Sequence, residues 1–460
     1  MKTWLANKWS TLRTNFWVIP GAMAALAVVL SLMLLFLDNR LIRQPFTMLR
    51  AGSLEGVRTL LGVLIGALVT SVSIVFSTTV VVLTLAASQL GPRLLRTYVR
   101  DRNNQILLGV FIATLFYCLT ALFVVGRMEG SEGLPNLTVL GAFALTCASL
   151  IVLVYFIHHV ALSIQAPNVI IAVSTELNQL IERTYPEEQE DEAPVPVSKK
   201  DEEDLPPESA SVFSKVSGYL QAVDEIGLMR MAREGNLLVV THNRPGYYVM
   251  DGCPLAKVYS AAQVQEGVIE QIRTMFAWTQ EKKLEAGVIA RIQAKFIMGA
   301  RRTATQDVEF VLLELVEIAV RALSPGINDP FTAVTCIDRL AEALRLLVRR
   351  HMPPSHRYDE ERVLRLILEQ TSFEGIRAAA FNQIRQHAGV NVTVLIHLMD
   401  AIRLVLVQAR TEKQKAVLWR HACMVRRAAK ALPEQEDRDD VEEHFQMLVP
   451  ESRISGEETE

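Results

Sequence analysis

The sequence predicts an α-helical membrane protein with four transmembrane helices, followed by a small β-rich domain and an all-α cytoplasmic region. Half of the 460 residues are hydrophobic, and the mean hydropathy is positive at +0.23. Charge divides the chain, because residues 1–165 hold 12 Lys and Arg against 5 Asp and Glu, whereas the remainder holds 35 against 45. A basic, apolar front and an acidic, polar back are typical of a membrane part followed by a soluble part.

Four runs of uncharged residues are long enough to cross a bilayer. They cover residues 16–37, 59–90, 105–125 and 137–164, and each exceeds the ~20 residues that span the apolar core of a membrane. Together they predict a transmembrane domain over residues 1–170. The first run is too long for a signal peptide and has no small-residue cleavage site after it, so we expect a retained anchor.

Lysines and arginines in the short loops predict the orientation of the spans. Three basic residues precede the first run, and four follow the second run: Arg93, Arg96, Arg100 and Arg102. Cytoplasmic loops carry an excess of Lys and Arg, so this pattern favours cytoplasmic N- and C-termini. The first loop also holds three arginines and favours the opposite orientation, but the second loop is shorter and denser in arginine.

Small and polar residues of the second run fall on one side of a helix. At 100° per residue, an arc of about 80° around Ser73 contains Thr59, Gly62, Gly66, Thr70, Ser77, Thr84, Ser88 and Gly91. One interpretation is close helix packing, in which small residues let two backbones approach and hydroxyls bond to carbonyls. The other is a face that lines water or an ion path, with Thr70, Ser73, Ser77, Thr84 and Ser88 as the pore-lining residues.

Two polar groups flank the spans. The four arginines after the second run either anchor the chain to anionic lipid or form a ring at an inner pore mouth that concentrates anions. His158 and His159, at the inner end of the fourth run, are either interfacial packing residues or a pH sensor. No Asp, Glu, Lys or Arg lies in the middle of a run, which disfavours a proton pump or an ion-coupled transporter.

The segment after the spans changes character twice. Residues 186–209 contain ten acidic residues and five prolines, which predicts a disordered acidic loop. Residues 211–260 combine β-type composition with turn signals and predict a small β-rich domain, interrupted by one helix that Asp224 caps. The pattern PGYYVMDGCPL resembles the tail of a barrel-sandwich domain. Arg230 stands where a biotin carrier needs its lysine, so we expect a structural domain.

Residues 261–450 predict a helical cytoplasmic domain. Helices are expected on both sides of Pro325-Gly326, and then over residues 360–369, 374–387, 392–408, 413–431 and 434–448. Asn328 and Asp329 form either a turn that caps a helix or a loop that binds a ligand or an ion. Arg301, Arg302 and Asp307 form either a plain helix cap or an anion site at a helix N-terminus.

Three long motifs carry a resemblance to a known family: FSTTVVVLTLAASQLGPRLLRTYVRDRNNQILLG, ARRTATQDVEFVLLELVEIAVRALSPGINDPFTA and PGYYVMDGCPL. They resemble a large bacterial family of predicted membrane proteins, the domain of unknown function 2254, over roughly residues 15–432. The resemblance implies a multi-pass protein of the bacterial inner membrane with a soluble C-terminal region. It names no catalytic residue, so none is carried over.

The motifs of common enzyme classes do not occur in this sequence. It has no Gly-rich phosphate loop, HExxH, CxxC or GxSxG, so we expect no enzymatic activity, cofactor, metal or nucleic-acid partner. Our working hypothesis is an oligomeric inner-membrane channel or channel-like protein with a cytoplasmic vestibule. Its partners would be the lipid bilayer, further copies of the chain and inorganic ions. The alternative is a membrane-anchored signalling or scaffold protein that moves no solute.

Overall fold

The structure is a computed structural model that describes residues 17–41, 53–90, 102–128, 135–163, 165–187, 210–260, 286–389 and 391–448. The chain divides into two compact units, Met1–Val169 and Ile170–Glu460. Most of the predicted acidic loop, residues 188–209, lies outside the described residues.

The first unit consists of four helices, α1 (Val18–Leu41), α2 (Leu54–Leu90), α3 (Arg102–Val125) and α4 (Asn136–Ser163). All four are long and apolar enough to cross a membrane, as the uncharged runs predict. Helix α2 has 37 residues and is about 55 Å long at ~1.5 Å per residue, which exceeds the apolar core of a bilayer.

Helix α3 is the centre of this unit and contacts α1, α2 and α4. Its ring residues Phe111 and Tyr117 are fully buried, together with Leu61 and Leu68 of α2. Two hydrogen bonds join buried polar groups of α3 and α4. The hydroxyls of Thr114 and Ser149 lie 2.9 Å apart, and the Tyr117 hydroxyl donates to the carbonyl oxygen of Thr138 at 3.0 Å.

Charged side chains hold the ends of the spans together. Both carboxylate oxygens of Asp38, at the end of α1, accept hydrogen bonds from the backbone at the start of α4: Oδ1 from Leu137 N at 3.0 Å and Oδ2 from Thr138 N at 2.9 Å. A carboxylate at a helix N-terminus is stabilised by unpaired backbone N–H groups. Arg58, near the start of α2, donates to the carbonyl oxygens of Val125 and Met128 at the end of α3.

The second unit begins with most of α5 (Ala166–Thr184) and contains two sheets. Its eight described strands are β1 (Ala210–Phe213), β2 (Gly218–Val223), β3 (Leu237–Thr241), β4 (Tyr248–Val249), β5 (Pro254–Ser260), β6 (Phe296–Gly299), β7 (His356–Tyr358) and β8 (Leu364–Ile367). The five-stranded sheet has the order β1-β5-β3-β8-β7, and the three-stranded sheet has the order β4-β2-β6. The β3–β8 pair is parallel.

Two short helices pack beside the sheets and six longer ones form a bundle. The short helices are α6 (Glu225–Gly235) and α7 (Ala286–Gln293). The bundle consists of α8 (Val308–Ala322), α9 (Pro330–Val348), α10 (Phe373–His387), α11 (Val392–Leu406), α12 (Glu412–Ala429) and α13 (Gln435–Gln446). The predicted caps are confirmed, since Asp224 accepts from the N–H of Gly227 and Asp329 from that of Thr332.

The prediction of an all-α region from residue 261 onward is wrong in three places. Strands β6, β7 and β8 lie within it, and the helix predicted over residues 360–369 is replaced by β8 and the turn before it. The segment LRLI is short, and three of its four residues are buried, because it pairs with β3 more than 120 residues earlier. The likeness to a barrel-sandwich domain is not confirmed, since the sheets take strands from beyond residue 260 and include a parallel pair.

Candidate functional site

Helix α2 has one side that packs within the first unit. The side chains buried there are Val57, Leu61, Leu64, Leu68, Ser71, Val75 and Val82. They repeat every three, four or seven residues, which is the spacing of one face of a helix. This side therefore accounts for the contacts of α2 with the other spans.

The small and polar residues that periodicity places around Ser73 lie on the other side of α2. Thr70, Ser73, Ser77, Thr84 and Ser88 are all exposed in the single chain. Gly62 and Gly66 are exposed as well, and a Cβ atom added to either glycine would meet no atom within 4 Å. Val69 and Val80 share this surface and are 48% and 58% exposed. We call this surface, from Gly62 to Ser88, the small-residue face.

Hydroxyls of the small-residue face bond to their own helix. Thr70 donates to Gly66 O at 3.0 Å, Ser73 to Val69 O at 2.9 Å, and Thr84 to Val80 O at 2.9 Å. Such bonds satisfy the hydroxyl proton in an apolar environment and leave oxygen lone pairs that point away from the helix. At Thr70, Ser73 and Thr84 the face can therefore meet a neighbouring helix without an unpaired donor, or offer acceptor oxygens to water or a cation.

The residues predicted at the inner mouth are only partly described. Arg102 is the first residue of α3 and is exposed, whereas Arg93, Arg96 and Arg100 lie outside the described residues. Near the end of α4, His158 is exposed, and the ring of His159 stacks on Tyr155 with the ring centroids 5.9 Å apart. The roles of these residues at a pore mouth and in pH sensing stay predictions.

Asn328 and Asp329 connect α8 to α9. Asn328 has a left-handed backbone with φ of 50°, and the carboxylate of Asp329 accepts from both the N–H and the hydroxyl of Thr332, at 3.1 and 2.6 Å. Both oxygens of Asp329 are therefore used in capping α9. The turn explains these two residues without a ligand, and their role in ligand binding stays a prediction.

The Arg301–Asp307 segment belongs to a larger ionic network. Asp307 caps α8 by accepting from the N–H of Phe310, and it is bound by Arg302 through two hydrogen bonds of 2.5 and 3.0 Å. Beside this pair, Arg244 donates to both carboxylate oxygens of Glu309 at 2.9 Å. Asp307 thus acts as the predicted helix cap, and Arg302, whose side chain is only 22% exposed, is bound to it.

Residues 13–403 of the chain match the protein family described as predicted membrane protein (DUF2254). The chain belongs to this family. The resemblance that the three long motifs indicate is therefore confirmed. Together with four helices long and apolar enough to span a bilayer, membership identifies a membrane protein.

Relatives in the DUF2254 family extend over most of this chain. An uncharacterized protein of Mycobacterium bovis and one of Mycobacterium tuberculosis are each 29% identical to it over 396 residues, which is 84% of this chain and 71% of the relative. No solved structure matches the chain. Among the described residues, no three His, Cys, Asp or Glu side chains come together in a way that could hold a metal ion.

Sequence analysis did not anticipate Arg244 or Glu309 as partners. Arg244 lies in the turn NRPG after β3, and Glu309 is the second residue of α8. Each has an ordinary explanation on its own, since polar residues are frequent in turns and acidic residues are frequent in the first turn of a helix. Only the fold brings the guanidinium and the carboxylate together.

Proposed function

We propose that this DUF2254 protein is a homo-oligomeric channel of the bacterial inner membrane, with the small-residue face of α2 turned toward other copies. The observation that carries the proposal is that the glycines and hydroxyls of the small-residue face are exposed, beside large apolar side chains, and lie opposite the buried side of α2. Glycine has no side chain for a lipid chain to pack against, whereas it lets the backbone of a neighbouring helix approach closely. The exposed glycines therefore favour contact with another helix over contact with lipid.

The two halves of the small-residue face have different tasks in this proposal. Gly62 and Gly66 lie in its first half, where the absence of side chains permits tight contact between copies. Ser73, Ser77, Thr84 and Ser88 lie in its second half and line the path. The distance from Thr70 to Ser88 along the helix is roughly 27 Å at ~1.5 Å per residue, close to the ~30 Å thickness of the apolar core.

The orientation follows from the basic loops. Both termini are cytoplasmic, so Arg102 and the three arginines before it lie at the inner end of the path. The second units of the copies then surround a vestibule on the same side. Arginines at the mouth attract anions, but their effect is screened over ~8 Å at physiological salt.

Selectivity depends on two opposing features. The hydroxyl oxygens of Ser73 and Thr84 are acceptors once their protons are donated to the helix, and acceptor oxygens favour a cation. The arginines at the inner mouth favour an anion, which is the preference that the sequence predicts. A reversal potential in a salt gradient distinguishes the two, and replacing Arg102 by Gln should shift it toward cations, more strongly at low salt.

A second candidate function is a membrane-anchored scaffold or signalling protein that moves no solute. The observation that favours it is that the hydroxyls of Thr70, Ser73 and Thr84 bond to their own helix, which lets these parts of the small-residue face pack against a neighbour without water. Both candidates require contact between copies. They differ in whether water reaches the second half of the face.

Cysteine accessibility distinguishes a water-lined path from dry packing. In a cysteine-free version of the full chain, we expect Ser73→Cys and Ser77→Cys in membranes to react with a small, charged, water-soluble thiol reagent and to change the current in planar bilayers. Val154→Cys is the matched control, because Val154 is 71% exposed on α4 and away from the small-residue face. The scaffold is favoured if the thiols at positions 73 and 77 react no faster than this control and intact oligomers carry no current.

A further inference from the structure

A polar cavity of about 470 Å³ lies within the second unit, where the parallel strands β3 and β8 of the five-stranded sheet end. Strands β3 and β8 pair there with Val239 opposite Leu366 and Val240 opposite Ile367. Both strands end at the cavity, where the Thr241 hydroxyl oxygen accepts from the N–H of Glu369 at 2.9 Å. The crevice beyond the carboxyl ends of parallel strands is a recurrent place for ligands, and this volume is typical of a small-molecule site.

The floor of the cavity is an ionic network that needs no ligand. Arg244 reaches it from the turn after β3, held by Glu309 through two hydrogen bonds of 2.9 Å and by the hydroxyl of Thr371. Tyr185 is buried beside it, and burial, reinforced by the charge of Glu309, raises the pKa of its hydroxyl to about 12. The floor is therefore rigid, close to neutral in charge and already assembled.

An arginine at the mouth of the cavity has no carboxylate partner in the part of the chain that the structure describes. Arg183, near the end of α5, is exposed, and among the described residues its hydrogen bond goes to the carbonyl oxygen of Thr305, at 3.2 Å. Arg357, on β7, also lines the cavity and lies 3.6 Å from the carboxylate of Glu225. Glu369 is the remaining acidic residue of the lining. Three arginines and two carboxylates line this cavity, and Glu309, which binds Arg244, balances the charge. Among the described residues, Arg183 is the arginine of the lining that has no carboxylate partner.

We propose that this cavity binds a small polar metabolite through a phosphate or carboxylate group, with the anion placed on Arg183. The planar guanidinium matches both anions and forms two parallel hydrogen bonds with either. Hydroxyl and amide side chains also line the cavity and suit a hydroxylated ligand body, among them those of Thr241, Asn243, Gln370 and Thr371. The site lies in the second unit and does not depend on whether the first unit conducts.

Binding of two probes to the full-length protein in detergent tests this site. Isothermal titration at low salt should show binding of inorganic phosphate, and tighter binding of glycerol 3-phosphate, because its hydroxyls reach the polar wall. Arg183→Gln should weaken both by about tenfold or more, the usual effect of removing a hydrogen bond to a charged group. Arg339→Gln is the matched control, since Arg339 is exposed on α9 and pairs with Glu342, and it should leave binding unchanged.

A second variant tests whether the bound group is negatively charged. Glu369→Gln removes a like charge from the lining and should tighten phosphate binding a few-fold, whereas a site for a cationic group would lose its affinity. Loss of binding in Glu369→Gln would overturn the proposal. Absence of phosphate binding to the wild type would also overturn the proposal. Equal affinity of Arg183→Gln and Arg339→Gln for phosphate would overturn it as well. Arg183 is exposed and its hydrogen bond among the described residues goes to a backbone carbonyl, so Arg183→Gln should keep the wild-type unfolding temperature.

Discussion

Replacing Gly246 by alanine is expected to destabilise the second unit by roughly 2–5 kcal/mol. Gly246 has a backbone φ of +99°, which L side chains rarely adopt. A Cβ atom there would lie 2.1 Å from the Oδ2 atom of Asp307, whose side chain is only 1% exposed and is held by Arg302. The alanine must therefore displace the carboxylate that caps α8. Chemical denaturation of the full-length protein measures the loss.

Gly252 provides the matched control for this substitution. It also has a positive φ, +76°, but an added Cβ atom would meet nothing within 4 Å. Gly252→Ala should therefore show the cost of backbone strain alone, on the order of 1–3 kcal/mol, and Gly246→Ala should cost more. Equal losses for the two variants would contradict the close contact between the turn after β3 and the ionic network at α8.

Acid is expected to destabilise the helical bundle through His421. This side chain is fully buried, and Nη1 of Arg377 lies 2.9 Å from its Nδ1. Burial, reinforced by the charges of Arg377 and Arg385, lowers the pKa of His421 from 6.5 to about 3. The unfolded chain therefore binds a proton that the folded chain excludes. The contribution of His421 to stability is complete above pH 6.5 and is lost progressively as the pH falls toward 3.

The size of the acid effect follows from the same linkage. Each pH unit below 6.5 costs about 1.4 kcal/mol, so the free energy of unfolding should fall by about 2 kcal/mol between pH 6.5 and pH 5. His421→Gln keeps an acceptor for Arg377 and removes the titration, so its stability should vary less over this range. His387→Gln, at an exposed histidine on α10, should keep the wild-type slope. An unchanged slope in His421→Gln would contradict a neutral, buried His421.

Local signals in the sequence predict most of the helices. The four helices that are long and apolar enough to span a membrane follow from charge-free length, because a helix satisfies its backbone hydrogen bonds within itself in lipid. The caps at Asp224 and Asp329 follow from residue type and position. The small-residue face of α2 follows from helical periodicity, and the structure adds that this face is exposed in the single chain. These features depend on residues within a few turns of one another.

The features that sequence analysis missed depend on distant residues. Strand β8 has four residues, and its pairing with β3 crosses more than 120 residues of chain, so no short window indicates it. The cavity is lined from α5, β2, β3, β7 and the segments before α8 and after β8. No motif unites Arg183, Arg244 and Arg357, because each lies in a different element and only the tertiary fold brings them to one cavity.

The mass of the purified protein in detergent tests the central claim most directly, namely that copies meet through the small-residue face of α2. Native mass spectrometry should show an oligomer for the wild type and smaller assemblies for Gly66→Leu, because leucine separates two closely packed helices yet has open space within its own chain. Ala148→Leu, at an exposed alanine of α4, should keep the oligomer. A wild-type monomer, or an oligomer that Gly66→Leu leaves intact, would contradict the account.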